Sequence, residues 1–231
     1  MTDPKPALPA DEAIRSRRSV RAYLKREVPR EMITRILEVA SRAPSGTNMQ
    51  PWHAVVLTGD ALRAVADNLE ARARAGEEGH WQYSYYPKQF RDPYLARRRK
   101  VGWDMYARIG IQKGDHEAML RQSALNFRFF DAPVGMFFFI DADLELGSWL
   151  DHGMFLQNVM IAARGYGLDT CPQAAFVRYH QHIADMLKVP PGWRLVCGMA
   201  LGYADKTAAI NDFATEREPV EGFTRFIETL P

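Results

Sequence analysis

Ala43-Pro44-Ser45-Gly46-Thr47-Asn48-Met49-Gln50-Pro51-Trp52 is the stretch around which the chain is organised. Two prolines bracket small and hydrogen-bonding residues directly after an amphipathic segment, which reads as a tight polar turn opening into a strand. Such a turn presents backbone N–H groups and short side chains, a surface suited to a flat, polar, nitrogen-rich ligand. On its amino-terminal side, after Pro29, Ile33, Ile36, Leu37 and Ala40 recur at helical spacing and predict a helix from Arg30 to Arg42. On its other side, His53 to Thr58 predicts a buried strand, and Gly59-Asp60 a turn into a helix carrying Leu62, Val65 and Leu69.

Further upstream, Asp11 is placed to cap a short helix through Ile14 and Ser16, which ends at Arg17-Arg18-Ser19-Val20-Arg21. Guanidinium forks beside a hydroxyl match phosphate oxygens, so this run is an anion site on paper; a solvated basic turn is the plainer alternative. Downstream, Gly76 to Gly114 changes character. His80, Trp81, Tyr83, Tyr85, Tyr86, Phe90, Tyr94, Trp103 and Tyr106 alternate without period with Arg91, Arg97, Arg98, Arg99 and Lys100. An excursion of this kind either covers a pocket or forms a packing or dimer surface.

The rest predicts alternating helices and strands. Glu117 to Phe130 reads as a helix, Val134 to Ile140 as a central strand, and Asp151 to Tyr166 as a helix apolar on nearly every face and shared with a partner subunit. Gly167 to Phe176 reads as a turn and short strand, Arg178 to Leu187 as a short helix, and Trp193 to Tyr203 as the last strand. The polar tail from Asp205 to Pro231 carries Arg217 and isolated Phe223, Phe226 and Leu230, which need a surface, for instance a neighbouring subunit, to bury against.

Composition bounds the classes. With 231 residues, 47% of them hydrophobic, the chain is expected to form one domain spanning 1–231, with 76–114 as an excursion. A net charge of +2 from 30 basic and 28 acidic residues is no footprint for nucleic acid or an anionic membrane surface. The polar start, Met1 to Pro9, lacks the apolar run of a signal peptide, and a cytoplasmic location is expected. Cys171 and Cys197 read as reduced, buried thiols. No metal site is expected, since His180 and His182 are two apart and His53, His116 and His152 stand alone. Neither a Gly-x-Gly-x-x-Gly turn nor a Gly-x-Ser-x-Gly elbow is present.

Arg17 to Arg21, Ala43 to Trp52, Gly167-Leu168-Asp169-Thr170-Cys171-Pro172-Gln173, Gly202-Tyr203 and Arg217-Glu218-Pro219, in this order and spacing, resemble the FMN-dependent nitroreductase family. The resemblance implies an α+β fold: a central mixed, mostly antiparallel sheet flanked by helices, in an intertwined homodimer whose carboxy-terminal tail reaches the partner. It implies FMN held at its phosphate by Arg17, Arg18, Ser19 and Arg217, with Arg21 near the pyrimidine edge. Pro44, Ser45 and Gly46, with Asn48 nearby, would lie against the flavin from the second subunit, although Asn48 and Gln50 could instead hold the turn together. Pro172, Gln173 and Ala174 would lie over the ring's other side, the Ala174 N–H facing N5. A mid-chain ring contact has no clear counterpart, Asn126 being the nearest.

The implied activity is a ping-pong oxidoreductase. FMN takes hydride from NADH or NADPH and passes it to a nitroaromatic compound, giving nitroso, hydroxylamine or amine products. No side chain need serve as catalytic acid or nucleophile. Trp81, Tyr86 and Tyr94 are the candidates for stacking on the acceptor. Reduction of quinones, activated alkenes or halophenols on the same scaffold, or flavin binding without turnover, are the alternatives.

Overall fold

The computed structural model describes residues 6 and 8–230, so most of the polar amino-terminal stretch and Pro231 lie outside the described residues. Four strands, β1 (His53–Thr58), β2 (Val134–Asp141), β3 (Asp169–Gln173) and β4 (Trp193–Gly202), form one sheet in the order β1-β2-β4-β3. All three ladders are antiparallel, and a parallel bridge between Ser19 and Thr170 supplies the mixed character.

The helices are α1 (Ala10–Ser16), α2 (Arg30–Ala40), α3 (Gly59–Arg74), α4 (Tyr94–Arg108), α5 (His116–Ala124), α6 (Leu146–Gly165) and α7 (His180–Leu187). β2 is buried on both faces and divides two cores. Phe137 and Phe139 face Leu62, Leu69, Phe127 and Phe176 on one side, and Met136, Phe138 and Ile140 face Ile36, Phe155 and Val159 on the other. A strand clothed twice in aromatic and aliphatic side chains is the natural centre of such a sheet, each fully buried Phe contributing about 1.5–3 kcal/mol.

Several local expectations need correction. Asp11 is not the α1 cap; Pro9 holds that position and Asp11 sits inside the first turn. β1 is not fully buried: only Leu57 is, and the alternate residues Ala54, Val56 and Thr58 lie on an exposed face. The helix expected from Glu117 to Phe130 stops at Ala124. A 3₁₀ segment then carries Phe129, Phe130 and Asp131 with φ of 52°, 53° and 56°. Arg128 braces that left-handed turn by bonding Asp67, Glu70 and Asp131. The helix expected from Arg178 begins at His180, after a 3₁₀ segment from Ala174 to Tyr179. α6 starts five residues before the predicted Asp151 and exposes Leu146 and Leu150, 83% and 70% accessible.

One irregularity positions the excursion. Between Phe138 and Phe139 the β2–β4 register slips past Val196, a bulge that frees backbone groups from the ladder. Residues of the excursion take them up. Gln82 Oε1 accepts from the Leu195 N–H at 2.9 Å, and the Tyr83 hydroxyl donates to the Val196 carbonyl at 2.6 Å. Gly79 lies so close to the Arg178 carbonyl that a Cβ there would come within 2.1 Å of it, so only glycine fits. The segment before α4 is therefore docked on the sheet edge.

Candidate functional site

The basic run is drawn to the sheet by its backbone. The Val20 N–H donates to the Thr170 carbonyl at 3.1 Å and the Leu24 N–H to Tyr203 at 2.9 Å, adding residues 19–24 beside β3 and the end of β4. Asn211, buried, then ties the carboxy-terminal tail to this segment. Its Oδ1 accepts from the Arg21 N–H at 2.8 Å, while its Nδ2 donates to the carbonyls of Ala22 and Asp205, both at 2.8 Å. These bonds bring Arg217 next to Arg17, two hundred residues away in sequence.

The result is a cleft of about 1080 Å³ lined by Arg17, Arg18, Ser19, Pro172, Thr215 and Arg217, with Gln157, Met160 and Arg164 of α6. Arg164 is already paired with Asp169 at 3.4 Å and donates to Ser16 Oγ at 3.0 Å. Arg17 has no carboxylate partner among the described residues. Burial, and then the like charge of Arg217, hold its guanidinium below its ordinary pKa. Arg217 bonds only Thr215 and the Glu216 carbonyl among the described residues. Two crowded cations lacking an anion fit a phosphate group, whose binding would relieve their repulsion.

A second cavity, of about 350 Å³, meets the first at Pro172. Pro172, Gln173, Ala174 and Ala175 line it together with Trp81, Tyr85, Tyr86, Ser123, Asn126, Phe127 and Arg178. Gln173 is buried; its Nε2 donates to the Asn126 carbonyl at 2.6 Å and its Oε1 has no partner among the described residues. The Phe176 ring lies on Gly198, where a Cβ would come within 2.3 Å of it, and so presses the 174–179 segment onto β4.

The predicted residues thus divide. Arg17, Arg18, Ser19, Pro172 and Arg217 share one cleft; Pro172, Gln173, Ala174, Trp81 and Tyr86 share the other. Tyr94 lines neither: its ring lies beneath Arg91, 5.0 Å from Cζ to centroid, and half of it is exposed. Arg21 also stays out of the cleft, its guanidinium turned back to the Ser19 carbonyl at 3.2 Å.

Pro44, Ser45, Gly46 and Asn48 line neither cavity of their own chain. Their turn is anchored on α6, where Asp151 Oδ2 accepts the Gly46 N–H at 2.9 Å and His152 Nδ1 lies 3.1 Å from the Pro51 carbonyl. Trp52 stacks on Phe155 with centroids 4.8 Å apart. Ser45 Oγ accepts the Gln50 N–H, and Gln50 Nε2 donates to the Asn48 carbonyl, so Gln50 does brace the turn. Thr47, Asn48 and Gln50 all have positive φ, a strained set that these bonds hold in place.

Asp151, His152, Asn211 and Thr215 were not singled out for the site from sequence. An Asp-His pair inside an otherwise apolar helix was the available signal for the first two. Nothing local marks Asn211 or Thr215.

Fold and cavities together define an α+β protein with a sheet-edge cleft in which Arg17 and Arg217 lack a carboxylate partner among the described residues. The chain belongs to the nitroreductase family, whose model matches residues 14–203. It is 41% identical over 217 residues to a 4-nitrobenzoate reductase of Pseudomonas putida, covering 94% of this chain and 95% of that one. It is 40% identical over 218 residues to a chloronitrobenzene nitroreductase of Comamonas testosteroni, covering 94% and 96%. The structure superposes on the FMN and NADPH-dependent nitroreductase NfnB from sphigopyxis sp. strain HMH, with a TM-score of 0.92 and 37% identity over 96% of this chain and all of the other.

Proposed function

We propose that the chain is an FMN-dependent NAD(P)H nitroreductase acting on nitroaromatic compounds. The observation that carries this is the convergence of Arg17 and Arg217, neither with a carboxylate partner among the described residues, on a cleft that meets an aromatic cavity at Pro172. The activities named for the relatives are of the same kind. The residues fit FMN: Arg17, Arg18, Ser19 and Arg217 would hold its phosphate, and Pro172, Gln173 and Ala174 would face its ring system. When bound, FMN supplies hydride transfer from NADH or NADPH to the acceptor.

The chain's own residues do the rest. The guanidiniums bind and orient the phosphate. The buried Gln173, fixed through Asn126, offers its free Oε1 as an acceptor, and the Ala174 N–H is the expected donor to the ring. Trp81 and Tyr86 offer faces for an electron-poor acceptor and displace water from it. No side chain is assigned a proton-transfer role.

A homodimer completes the site in this reading. Pro44, Ser45 and Gly46 do not line the cleft of their own chain, while Leu146, Phe226 and Leu230, 83%, 83% and 90% exposed, mark surfaces that need cover. Residues 76–114 form part of the same single domain and flank the acceptor cavity. No described helix is long and apolar enough to cross a membrane, both cysteines are free, and we assign the protein to the cytoplasm.

Anaerobic stopped-flow tests the acceptor class. Nitroarenes should reoxidise the NADPH-reduced protein faster than quinones, activated alkenes or halophenols do. The opposite order would replace this reading with the corresponding reductase, and no steady NAD(P)H consumption with any acceptor would leave a flavin-binding protein. Light scattering should give the mass of two chains.

A further inference from the structure

The cavity beside Trp81, Tyr85 and Tyr86 is neutral but for one group. Arg178 lines it, and no described Asp or Glu does. Its guanidinium has no ion pair or hydrogen bond with any described residue. Its Nε is buried and unpartnered among the described residues, and its Cζ lies over the Tyr179 ring, 5.9 Å from the centroid. The base of the side chain is fixed from two sides, by Gly79 against the Arg178 backbone and by Phe176 against Gly198. The Nε–H, buried without an acceptor among the described residues, burdens the folded chain until one arrives, and the rest of the half-buried guanidinium stays open to it.

We infer that Arg178 recognises an anionic substituent on the acceptor, so that the enzyme prefers nitroarenes bearing a carboxylate to uncharged ones. This rests on the nitroreductase reading and names the substrate class within it. The relatives' names include both a benzoate and an uncharged chloronitrobenzene and so do not decide the matter. The cavity does: a planar guanidinium fork matches a carboxylate with two parallel hydrogen bonds, and three aromatic side chains beside it accept a flat ring. Phosphates of the nicotinamide donor carry the same kind of charge, and the experiment separates the two.

The test compares 4-nitrobenzoate with 4-nitrobenzamide, a neutral compound of nearly the same shape, in the FMN-loaded protein and its R178Q and R178K variants. The wild type should favour the carboxylate in kcat/KM by on the order of 10- to 100-fold, the size of one charge-assisted hydrogen-bond pair. R178Q should bring the ratio close to parity, and R178K should restore part of it. Calorimetric titration with benzoate and benzamide reads the same preference without turnover. If neither nitro compound is reduced yet benzoate still binds selectively, the nitroreductase reading falls and the anion site stands.

Should R178Q fail to fold, the wild type still decides, because the KM for nitrobenzoate should rise with ionic strength while that for nitrobenzamide does not. Equal preference for the two compounds in the wild type overturns the proposal. So does a change in the NADPH-to-NADH ratio of the reductive half-reaction in R178Q with carboxylate preference intact, which would assign Arg178 to the donor's phosphate.

Discussion

Two cavities meet at Pro172 and are made of different material. The cleft of Arg17 and Arg217 is fixed by two kinds of hydrogen bond: residues 19–24 join the sheet through their backbone, and one buried side chain, that of Asn211, ties the tail to them. The aromatic cavity is walled by an excursion that reaches the sheet through Gln82, Tyr83 and Gly79, each serving a local irregularity of β4 or the 174–179 turn. A segment laddered onto the sheet keeps its backbone path when a side chain facing the ligand changes, whereas the rings Trp81 and Tyr86 on the wall can be exchanged apart from the Gly79, Gln82 and Tyr83 contacts that hold it. The first is suited to a constant cofactor and the second to a variable acceptor.

That contrast can be broken by substitution. Arg17→Ala should have the largest effect, weakening FMN retention by about 1.5–3 kcal/mol while sparing acceptor preference, as read by fluorescence titration. Arg217→Ala, at an exposed position, should act in the same direction with a smaller loss. Asn211→Ala leaves the Arg21 N–H without its acceptor, while the Ala22 and Asp205 carbonyls keep the N–H groups of Asp205 and Ala208; it should cost about 1–3 kcal/mol in chemical denaturation and lower FMN affinity as the tail loosens. Trp81→Ala and Tyr86→Ala should shift relative kcat/KM among nitroarenes and leave bound flavin intact; a change in stability alone would make the excursion packing. Tyr94→Phe, outside both cavities, should alter neither.

A control lies at Arg128, which lines neither cavity. Burial pushes the Glu70 carboxyl up, and its bonds to Arg128 and Arg74 outweigh this, leaving it below its ordinary value. A carboxylate depressed in the folded state contributes stability above its unfolded pKa and loses that contribution as pH falls through the folded one. The stability gap between wild type and Arg128→Ala should therefore narrow as pH drops below about 4. Acid titration by circular dichroism reads this.

The same contrast explains what was legible. Strand limits at His53–Thr58 and the buried run of β2 follow from short-range pattern, and so does the density of arginine before Val20. The end of α5 does not, because Phe127, Phe129 and Phe130 continue an apolar pattern while their burial against Phe137 and Phe176 forces left-handed backbone. Tyr94 and Trp81 look alike in a mixed aromatic and basic run, and only the docking of Gly79 to Tyr83 separates them. Arg178 passed as the first residue of a helix, since its isolation from every described acid is a property of the cavity and not of its neighbours in sequence.

Titration of the apoprotein with FMN and with riboflavin, followed by flavin fluorescence, tests the phosphate clamp most directly. FMN should bind at least 100-fold more tightly, because only its phosphate would meet the guanidiniums of Arg17 and Arg217, at about 1.5–3 kcal/mol for each charged contact. Equal affinity for the two flavins, or no saturable binding of FMN, would contradict the assignment of Arg17 and Arg217.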